Sequence, residues 1–342
     1  MNNQKLGRQS FRLAHPPTVI GHGSAGGRKE LEGPLGSRFD HTCTDDKFGE
    51  KSWEKAESAM QQLALDAALK RAGLHTEDLD FLLAGDLLNQ CIGSSFAARE
   101  GGIPFLGLYG ACSTMGESLA LAALLLSGGH GTCAAAVTSS HFCSAERQYR
   151  TPLEYGCQRT PTAQWTATAA GAVILTAEAC KGPKIDCVTI GKIQDKGIRD
   201  ANNMGAAMAP AAYDTLKTHF EDTGRSPDYY DLVITGDLGR LGHEIVREFF
   251  EADGVHPDNY TDCGLQLFRL EKQDVHCGAS GCGCSAAVLN TLLIPGLLRG
   301  QWRRILFCPT GALLSPTSTM QGESIPGVCH AVSLEGGSEW NT

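Results

Sequence analysis

The stretch Tyr109-Gly110-Ala111-Cys112-Ser113-Thr114-Met115-Gly116 is the most informative part of this chain. It follows an apolar run at residues 103–109, which predicts a strand, and it leads into an alanine- and leucine-rich run at residues 113–127, which predicts a helix. Cys112 is therefore expected at a strand-to-helix corner, near a helix N-terminus whose free N–H groups favour a thiolate or a bound anion. Such a corner is typical of a cysteine nucleophile, which also needs a basic partner.

The composition of the chain is that of an ordinary globular protein. It has 342 residues, 42% hydrophobic and 20% charged, so it can bury an ample core. The net charge of -9 argues against nucleic acid as a partner, because binding phosphates requires clustered Lys and Arg. We expect no transmembrane segment and no signal peptide, since no run of about 18 apolar residues occurs and the first residues lack an apolar region.

The 14 cysteines are expected to be reduced and mostly buried, because a long chain without an export signal rarely relies on disulfides. The densest group, with the neighbouring histidine, consists of His276, Cys277, Cys282 and Cys284. We expect His276 inside or at the end of a strand. A structural zinc site would need a second Cys/His pair at a suitable spacing, and none is evident, although Cys263 and Cys308 are free to converge in space.

Two segments of the sequence read alike, Leu79-Asp80-Phe81-Leu82-Leu83-Ala84-Gly85-Asp86-Leu87 and Tyr230-Asp231-Leu232-Val233-Ile234-Thr235-Gly236-Asp237-Leu238. Each follows a predicted helix, at residues 53–72 and 208–220, and a polar turn. Each is followed later by a second helix, a Gly-rich break and a second strand. This succession predicts two duplicated halves, at residues 1–180 and 181–342, with helices around mostly parallel sheets. The alternative is chance similarity between buried strands, which have similar compositions.

Three features resemble the thiolase superfamily, whose members have two duplicated halves in a five-layered α/β/α/β/α fold. Its active-site cysteine begins a helix, as Cys112 does. The run at residues 168–175, TAAGAVIL, is similar to a strand of ketoacyl synthase III enzymes. The motif Thr310-Gly311-Ala312-Leu313-Leu314 looks like their Gly-rich loop, which helps to form the oxyanion hole. The resemblance implies the same α/β fold over nearly the whole chain.

The sequence departs from that family where the partners of the cysteine should stand. Ketoacyl synthase III enzymes carry a Pro-His-Gln-Ala-Asn loop where this chain has Thr235-Gly236-Asp237-Leu238-Gly239. The second partner, an Asn or His, is also missing from residues 279–284, ASGCGC. Since each acid/base group contributes about 10²–10⁴-fold to catalysis, we expect no catalytic residues. The alternative is a thiol-dependent acyltransferase that uses Cys112 with His141 as a substitute base, unless His141 is only a polar rim residue.

A narrower resemblance is to the stage V sporulation protein AD family. It is carried by motifs that extend over the full length: AGDLLNQ at 84–90, GACST at 110–114, SSH at 139–141, AERQ at 145–148, MAPAA at 208–212, SGCGCS at 280–285 and TGALLSPT at 310–317. The family implies a non-catalytic protein that binds dipicolinic acid, pyridine-2,6-dicarboxylate, during its uptake into the developing spore.

The same resemblance implies partners and a location. The partners would be membrane proteins of the same sporulation operon, and the protein would lie peripherally at the cytoplasmic face of the spore inner membrane. Thiolase-like proteins usually pair through the strand before the cysteine, here residues 105–109, so a homodimer is expected. A third hypothesis is a structural subunit in which the pocket is vestigial.

The expected ligand-binding residues share positions at strand ends, at the start of the Cys112 helix or in the Gly-rich loops; they are Asp86, Asn89, Cys112, Ser140, His141 and Gly311. N–H groups at these places can hold carboxylates. An acidic residue beside a dicarboxylate needs a bridging cation, so Ca²⁺ bound together with dipicolinate at Asp86 is the cofactor hypothesis. No metal is expected in the protein alone. The alternative for Asp86 and Asn89 is capping of their own loop.

Two arginines and a tryptophan are weaker candidates. Arg147 and Arg150 are able to pair with a carboxylate, or to form surface ion pairs with Glu146 or Glu154. Trp165 is able to stack on a pyridine ring, although an aromatic residue before an apolar strand more often serves packing.

Overall fold

The computed structural model of the protein describes residues 4–99, 101–149 and 158–337. The strands of the N-terminal half are β1 (Gln4–Leu6), β2 (Ser10–Arg12), β3 (Thr18–Gly26), β4 (His41–Thr42), β5 (Phe81–Gly85), β6 (Phe105–Gly107), β7 (Cys133–Ser140), β8 (Trp165–Thr166) and β9 (Ala169–Thr176). Those of the C-terminal half are β10 (Lys184–Ile190), β11 (Leu232–Thr235), β12 (Tyr260–Asp262), β13 (Ala279–Ser280), β14 (Arg304–Cys308), β15 (Thr310–Ala312) and β16 (Gly327–Glu335).

The described helices are α1 (Arg28–Leu31), α2 (Trp53–Ala72), α3 (Ile92–Ala98), α4 (Thr114–Ser127), α5 (Phe142–Tyr149), α6 (Met204–Thr223), α7 (Gly239–Ala252), α8 (Cys282–Val288), α9 (Ile294–Leu298) and α10 (Pro316–Met320). A π-helical turn, Leu289–Leu293, joins α8 to α9. None of these helices, in the part of the chain that the structure describes, is long and apolar enough to cross a membrane.

The same strand order occurs in both halves. The N-terminal strands pair in the order β3-β9-β7-β5-β6, and the C-terminal strands pair in the matching order β10-β16-β14-β11-β12. β3 and β10 touch at one antiparallel pair, Thr18 with Lys184. In each half four strands run in the same direction and one strand, β9 or β16, runs against them, which agrees with the expectation of mostly parallel sheets. The parallel strands are those linked by helical crossovers, whereas β9 and β16 return antiparallel to their neighbours.

The helices and sheets form the expected thiolase-like layers. α2 and α3 cover the outer face of the N-terminal sheet, and α6 with α7 covers the outer face of the C-terminal sheet. α4 lies in the middle and contacts both sheets, while α8 packs beside it on β7 and β9. Every residue of β7 and β9 is buried, which explains their runs of small and branched apolar residues.

The helix α2 matches the predicted bounds 53–72, and the sequence shows why it starts, ends and packs there. The Ser52 side chain accepts a hydrogen bond from the Lys55 N–H at 3.4 Å, and Gly73 ends the helix with φ of 68°. α2 lies very close to β3, because a Cβ atom at Gly23 would be 2.1 Å from the Ala64 carbonyl oxygen. The glycine therefore fixes the distance between the sheet and its outer helix layer.

Candidate functional site

Cys112 lies in a short 3-10 turn, Ala111–Ser113, directly before α4. Ala111 has a left-handed backbone with φ of 50°, a conformation that costs energy for a residue other than glycine. Two hydroxyl groups hold the turn: Ser113 Oγ donates to the Gly110 carbonyl at 2.7 Å, and Thr114 Oγ1 donates to the Ala111 carbonyl at 2.6 Å. The strained turn presents Cys112 to a cleft between the two halves.

The cleft beside Cys112 encloses about 400 Å³ of empty space, part of it open to solvent. Its walls are mostly apolar, with Leu87 and Ala145 from the N-terminal half and Met204 and Leu314 from the C-terminal half. The polar lining residues are Tyr109, Cys112, Tyr149, Thr166 and Ser280. None of the described lining residues is Lys, Arg or His, so the cleft offers hydroxyl, thiol and backbone groups rather than positive charge.

Tyr109 and Tyr149 form one polar wall of this cleft. Their hydroxyl groups are 2.6 Å apart, and the Tyr149 hydroxyl donates to the Leu87 carbonyl oxygen. Tyr109 is therefore left to donate to the Tyr149 oxygen. Opposite them, β8 and β13 pair in parallel with Thr166 beside Ser280, which brings a hydroxyl group from each half into the cleft.

Asp237 lies directly beneath Cys112 and is completely buried. Its Oδ2 accepts from the Gly281 N–H at 2.8 Å and the Ser280 hydroxyl at 3.2 Å, and its Oδ1 accepts from the Thr310 hydroxyl at 3.0 Å. The Cys112 thiol lies next to the same carboxyl group, and the two groups interact electrostatically. Burial, only partly offset by these donors, raises the pKa of Asp237 to about 7.

The surroundings of Cys112 disfavour a thiolate. Burial, followed by the charge of Asp237, raises the pKa of the Cys112 thiol well above its usual value. The expectation that the helix N-terminus would favour a thiolate is therefore wrong, because desolvation and a neighbouring carboxyl group outweigh the helix dipole.

His141 is buried, and both of its ring nitrogens are occupied. Nδ1 accepts from the Cys143 N–H at 3.2 Å, and Nε2 lies 2.6 Å from the Asp46 carbonyl oxygen, to which it therefore donates. Burial lowers the pKa of His141. The ring ties the loop at Asp46 to the start of α5 and has no free nitrogen for the Cys112 proton. His141 does not line the cleft.

Asp86 is also fully buried, and its own loop uses its carboxyl oxygens. Oδ1 accepts from the Leu88 N–H at 2.8 Å, and Oδ2 accepts from the N–H and the hydroxyl of Ser94, each at 2.7 Å. Asn89 is exposed, and its N–H donates to Gln148 Oε1 at 3.0 Å. Neither Asp86 nor Asn89 lines the cleft. The structure thus places Asp86 in the capping arrangement, and the binding role of both residues remains a prediction.

A second buried carboxyl group, Glu57, lies near Asp86. Its two oxygens accept from the hydroxyls of Ser139 and Ser144, each at 3.0 Å. Burial, followed by the charge of Asp86, raises the pKa of Glu57. Gln61 joins the two groups, since its Nε2 lies 2.8 Å from both Ser139 Oγ and Ser94 Oγ. This network ties α2 to the base of α5.

Ser140 and Gly311 support the site from outside the cleft lining. Ser140 Oγ donates to the Ala167 carbonyl at 2.7 Å and accepts from the Gly283 N–H at 3.1 Å, which links β7 to α8. Gly311 belongs to β15, paired with β16, rather than to a loop. A Cβ atom there would be 2.2 Å from the Gly110 carbonyl oxygen and 3.2 Å from the Cys112 nitrogen, so only glycine allows β15 so close to the Cys112 turn.

The weaker candidates lie elsewhere. Arg147 pairs with Glu54, and its guanidinium group lies over the Trp53 ring, 5.2 Å from the ring centroid. Trp165 stacks on Phe142 with ring centroids 3.8 Å apart, which agrees with the packing alternative. Arg150 and Glu154 lie outside the described residues.

His276 lies in a turn with φ of 52°, not in a strand as expected, because its ring is held by the Thr160 carbonyl at 2.6 Å.

The described cysteines are free and most are buried, as expected; Cys157 lies outside the described residues. Within residues 4–99, 101–149 and 158–337, no group of three or more His, Cys, Asp or Glu side chains is arranged to hold a metal ion. Cys282 instead donates to the Ser139 carbonyl at 2.9 Å.

Asp237 is the site residue that the sequence did not single out. The chain places it at the end of β11, where a ketoacyl synthase III enzyme would carry its histidine. The repeated Gly-Asp-Leu motif was a usable signal, because it assigns Asp86 and Asp237 to equivalent strand ends. The two aspartates nevertheless have different roles: Asp86 binds its own loop, and Asp237 binds residues of three other elements.

Known proteins resemble this chain over nearly its full length. A family model described as Stage V sporulation protein AD (SpoVAD) matches residues 7–335. The Stage V sporulation protein AD of Bacillus subtilis (strain 168) is 45% identical over 330 residues, which cover 96% of this chain and 97% of that protein.

The solved structures that are similar share the fold at low identity. The 3-oxoacyl-(acyl carrier protein) synthase III, FabH, of Pseudomonas aeruginosa PAO1 has a TM-score of 0.59 at 14% identity, covering 98% of this chain and 100% of that one. The corresponding enzyme of Aquifex aeolicus VF5 has a TM-score of 0.56 at 14% identity, covering 93% and 99%. A variant of Xanthomonas campestris OleA has a TM-score of 0.61 at 14% identity, covering 97% and 99%.

Proposed function

The chain belongs to the stage V sporulation protein AD family, and from this membership and the site geometry we propose that it is a non-catalytic protein that binds dipicolinic acid during uptake into the developing spore. The single observation that carries the non-catalytic part is the buried carboxyl group of Asp237, which lies next to the Cys112 thiol. A carboxyl group at this position holds the proton on sulfur and raises the pKa of the thiol, where a condensing enzyme needs a nucleophile.

The chemistry of the cleft supports a small aromatic acid as the ligand. The mostly apolar walls of the cleft suit a flat ring. Tyr109, Tyr149, Thr166 and Ser280 supply hydroxyl groups for a few directed hydrogen bonds. Because no described lining residue is Lys or Arg, we propose that the dicarboxylate enters with a proton or with Ca²⁺ to offset its charge.

Calorimetric titration with dipicolinate, with and without Ca²⁺, tests this function. The cleft is closed by Ala145→Leu, which adds three carbon atoms to a lining residue that is 3% exposed. The matched control is Ala59→Leu, on the outer groove of α2. We expect binding by the wild type and by Ala59→Leu, and at least tenfold weaker binding by Ala145→Leu with an unchanged melting temperature. If titration of the wild type gave no heat of binding with or without Ca²⁺, the proposal would be contradicted.

The acyltransferase alternative makes a different prediction. An acyl-enzyme on Cys112 would appear as a mass increase after incubation with acyl-CoA, and Cys112→Ala would abolish it. We expect no adduct, because the described surroundings of the thiol contain no free histidine nitrogen and a carboxyl group instead.

The remaining proposals concern assembly. We propose that two copies pair through β6, which ends the sheet order in the part of the chain that the structure describes. The exposed side chains of Leu106 and Tyr109, 43% and 42% accessible, leave this edge apolar. Light scattering of the wild type and Leu106→Lys tests the pairing, with a dimer and a monomer expected. Membrane proteins of the same operon, and a peripheral position at the spore inner membrane, are proposed from family membership alone.

A further inference from the structure

A buried acid, rather than a cation, forms the floor of the Cys112 cleft. Asp237 accepts hydrogen bonds from Ser280 and Gly281 at the β13–α8 junction and from Thr310 in β15, and it lies next to the Cys112 thiol before α4. The titratable groups that act on it or respond to it are Cys112, Asp262, Cys263, Cys282, Cys284 and Cys329. All of these are acids, so none of them offers a positive charge to an incoming anion.

Ser280 links Asp237 to the cleft, because its hydroxyl lines the cleft, lies 3.2 Å from Asp237 Oδ2 and has one hydrogen to donate. While Asp237 is ionised, the Ser280 hydroxyl donates this hydrogen to the carboxylate. Both the loss of this donor to the cleft and the buried charge then oppose a ligand carboxylate. Once Asp237 is protonated, the Ser280 hydroxyl is free to turn and donate into the cleft. The acid proton has acceptors, because the Ser280 and Thr310 hydroxyl oxygens lie within 3.2 Å and can rotate their own hydrogens away.

We propose that Asp237 takes up a proton from solvent when an anionic ligand binds in the Cys112 cleft, so that the cleft holds its ligand more tightly at lower pH. This inference rests on the proposed function, since it concerns the same cleft and a carboxylate ligand. Asp237 is then a specificity residue: it favours ligands whose binding is accompanied by the uptake of one proton.

The direction and size of the effect follow from linkage. Burial raises the pKa of Asp237 to about 7 in the free protein, and a bound anion raises it further. Below that pKa, Asp237 is already protonated and the affinity is constant. Above it, each binding event must first protonate Asp237, so Kd rises about tenfold per pH unit until the pKa of the bound state is reached.

The test is calorimetric titration of the wild type and Asp237→Asn with dipicolinate from pH 5.5 to 8.5, in buffers of different ionisation enthalpy. Asn has the shape of the neutral acid and can donate to Ser280 or Thr310. We expect Kd of the wild type to rise about tenfold per unit above pH 7 with uptake of close to one proton. We expect Asp237→Asn to bind with a Kd that does not change with pH and without proton uptake.

A second variant covers the case in which Asp237→Asn fails to fold. Thr310→Val removes a donor that stabilises the charged carboxylate, so the pKa of Asp237 rises and the loss of affinity begins at higher pH. Glu57→Gln is the matched control, because Glu57 is an equally buried carboxyl group that does not contact Cys112.

Each outcome counts for or against the inference. A wild type that binds with the same Kd at every pH overturns it and leaves the proposed function standing. Loss of the pH dependence in Glu57→Gln overturns it as well, because the proton then belongs to another carboxyl group. No binding by any protein at any pH overturns both the inference and the proposed function.

Discussion

The buried carboxyl group of Asp237 lies next to the Cys112 thiol beneath the cleft and raises the pKa of that thiol, although the two residues come from different halves of the chain. The pair replaces the contact between cysteine and histidine that the resemblance to ketoacyl synthase III enzymes implies. An imidazole would accept the thiol proton, whereas a buried carboxylate raises the pKa of the thiol. The carboxyl group at the end of β11 thus disfavours the thiolate that acyl transfer needs.

The rate of alkylation measures how strongly Asp237 lowers the reactivity of the Cys112 thiol. We expect Cys112 of the wild type to react with iodoacetamide far more slowly at pH 8 than the exposed Cys180, because the Cys112 pKa is raised and the side chain is buried. In Asp237→Asn the negative charge is gone, and we expect Cys112 to react at least about tenfold faster, which corresponds to one pKa unit. Peptide mass spectrometry gives both rates, and equal rates for Cys112 in the two proteins would refute the coupling.

His141 is expected to have a structural role only. His141→Asn keeps an acceptor for the Cys143 N–H but removes the bond to the Asp46 carbonyl oxygen. We expect faster hydrogen exchange in the loop at residues 45–49 and a Cys112 alkylation rate within about twofold of the wild type. A tenfold fall in that rate would show instead that His141 acts as the base for Cys112.

Glu30 makes stability depend on pH. It is fully buried with Oε1 accepting from the Thr168 N–H at 2.9 Å, and burial raises its pKa from 4.5 to about 7. Because the pKa of Glu30 is higher in the folded state than in the unfolded state, its contribution to the free energy of unfolding is fully present below pH 4.5. This contribution is lost progressively as the pH rises to about 7. Relative to the wild type, Glu30→Gln should therefore gain about 1.4 kcal/mol of unfolding free energy per pH unit in this window.

Urea unfolding between pH 4 and 8.5 checks this slope, with the exposed Glu77→Gln as the matched control. The wild type and Glu77→Gln should lose stability in parallel. If Glu30→Gln followed the same curve as both, Glu30 would not be the source of the pH dependence.

Gly311 is expected to tolerate no side chain. A Cβ atom would lie 2.2 Å from the Gly110 carbonyl oxygen, and both atoms belong to backbone that the sheet and the Cys112 turn hold in place. We expect Gly311→Ala to lower the unfolding free energy by about 1–3 kcal/mol and to weaken ligand binding. Gly101→Ala is the control, since its nearest neighbour atom would be 3.5 Å away. Equal melting temperatures for the two variants would contradict the close packing of β15 on the turn.

The sequence was sufficient for the elements and the fold, because these depend on local patterns. The spacing of apolar residues gave α2 with its observed bounds, and the repeated Gly-Asp-Leu segments correspond to β5 and β11, which hold equivalent places in their sheets. The position of Cys112 at a helix start also followed from the sequence. The division into halves at residue 180 stays a prediction.

The site was less predictable, because it depends on contacts between residues that are distant in the chain. The sequence named Asp86 as a binding residue, yet the identical motif places Asp237, not Asp86, beneath Cys112. The difference arises from Ser94, which occupies the Asp86 carboxylate within its own loop, whereas Asp237 is approached by α8 and β15. No local pattern distinguishes these two environments.

A crystal structure of the protein with dipicolinate at saturating concentration tests the central claim most directly. The account predicts the pyridine ring in the cleft between Leu87 and Met204, with a carboxylate within hydrogen-bond distance of Cys112 Sγ and no covalent bond to it. A ligand bound elsewhere on the protein, or a cleft without ligand, would contradict the account.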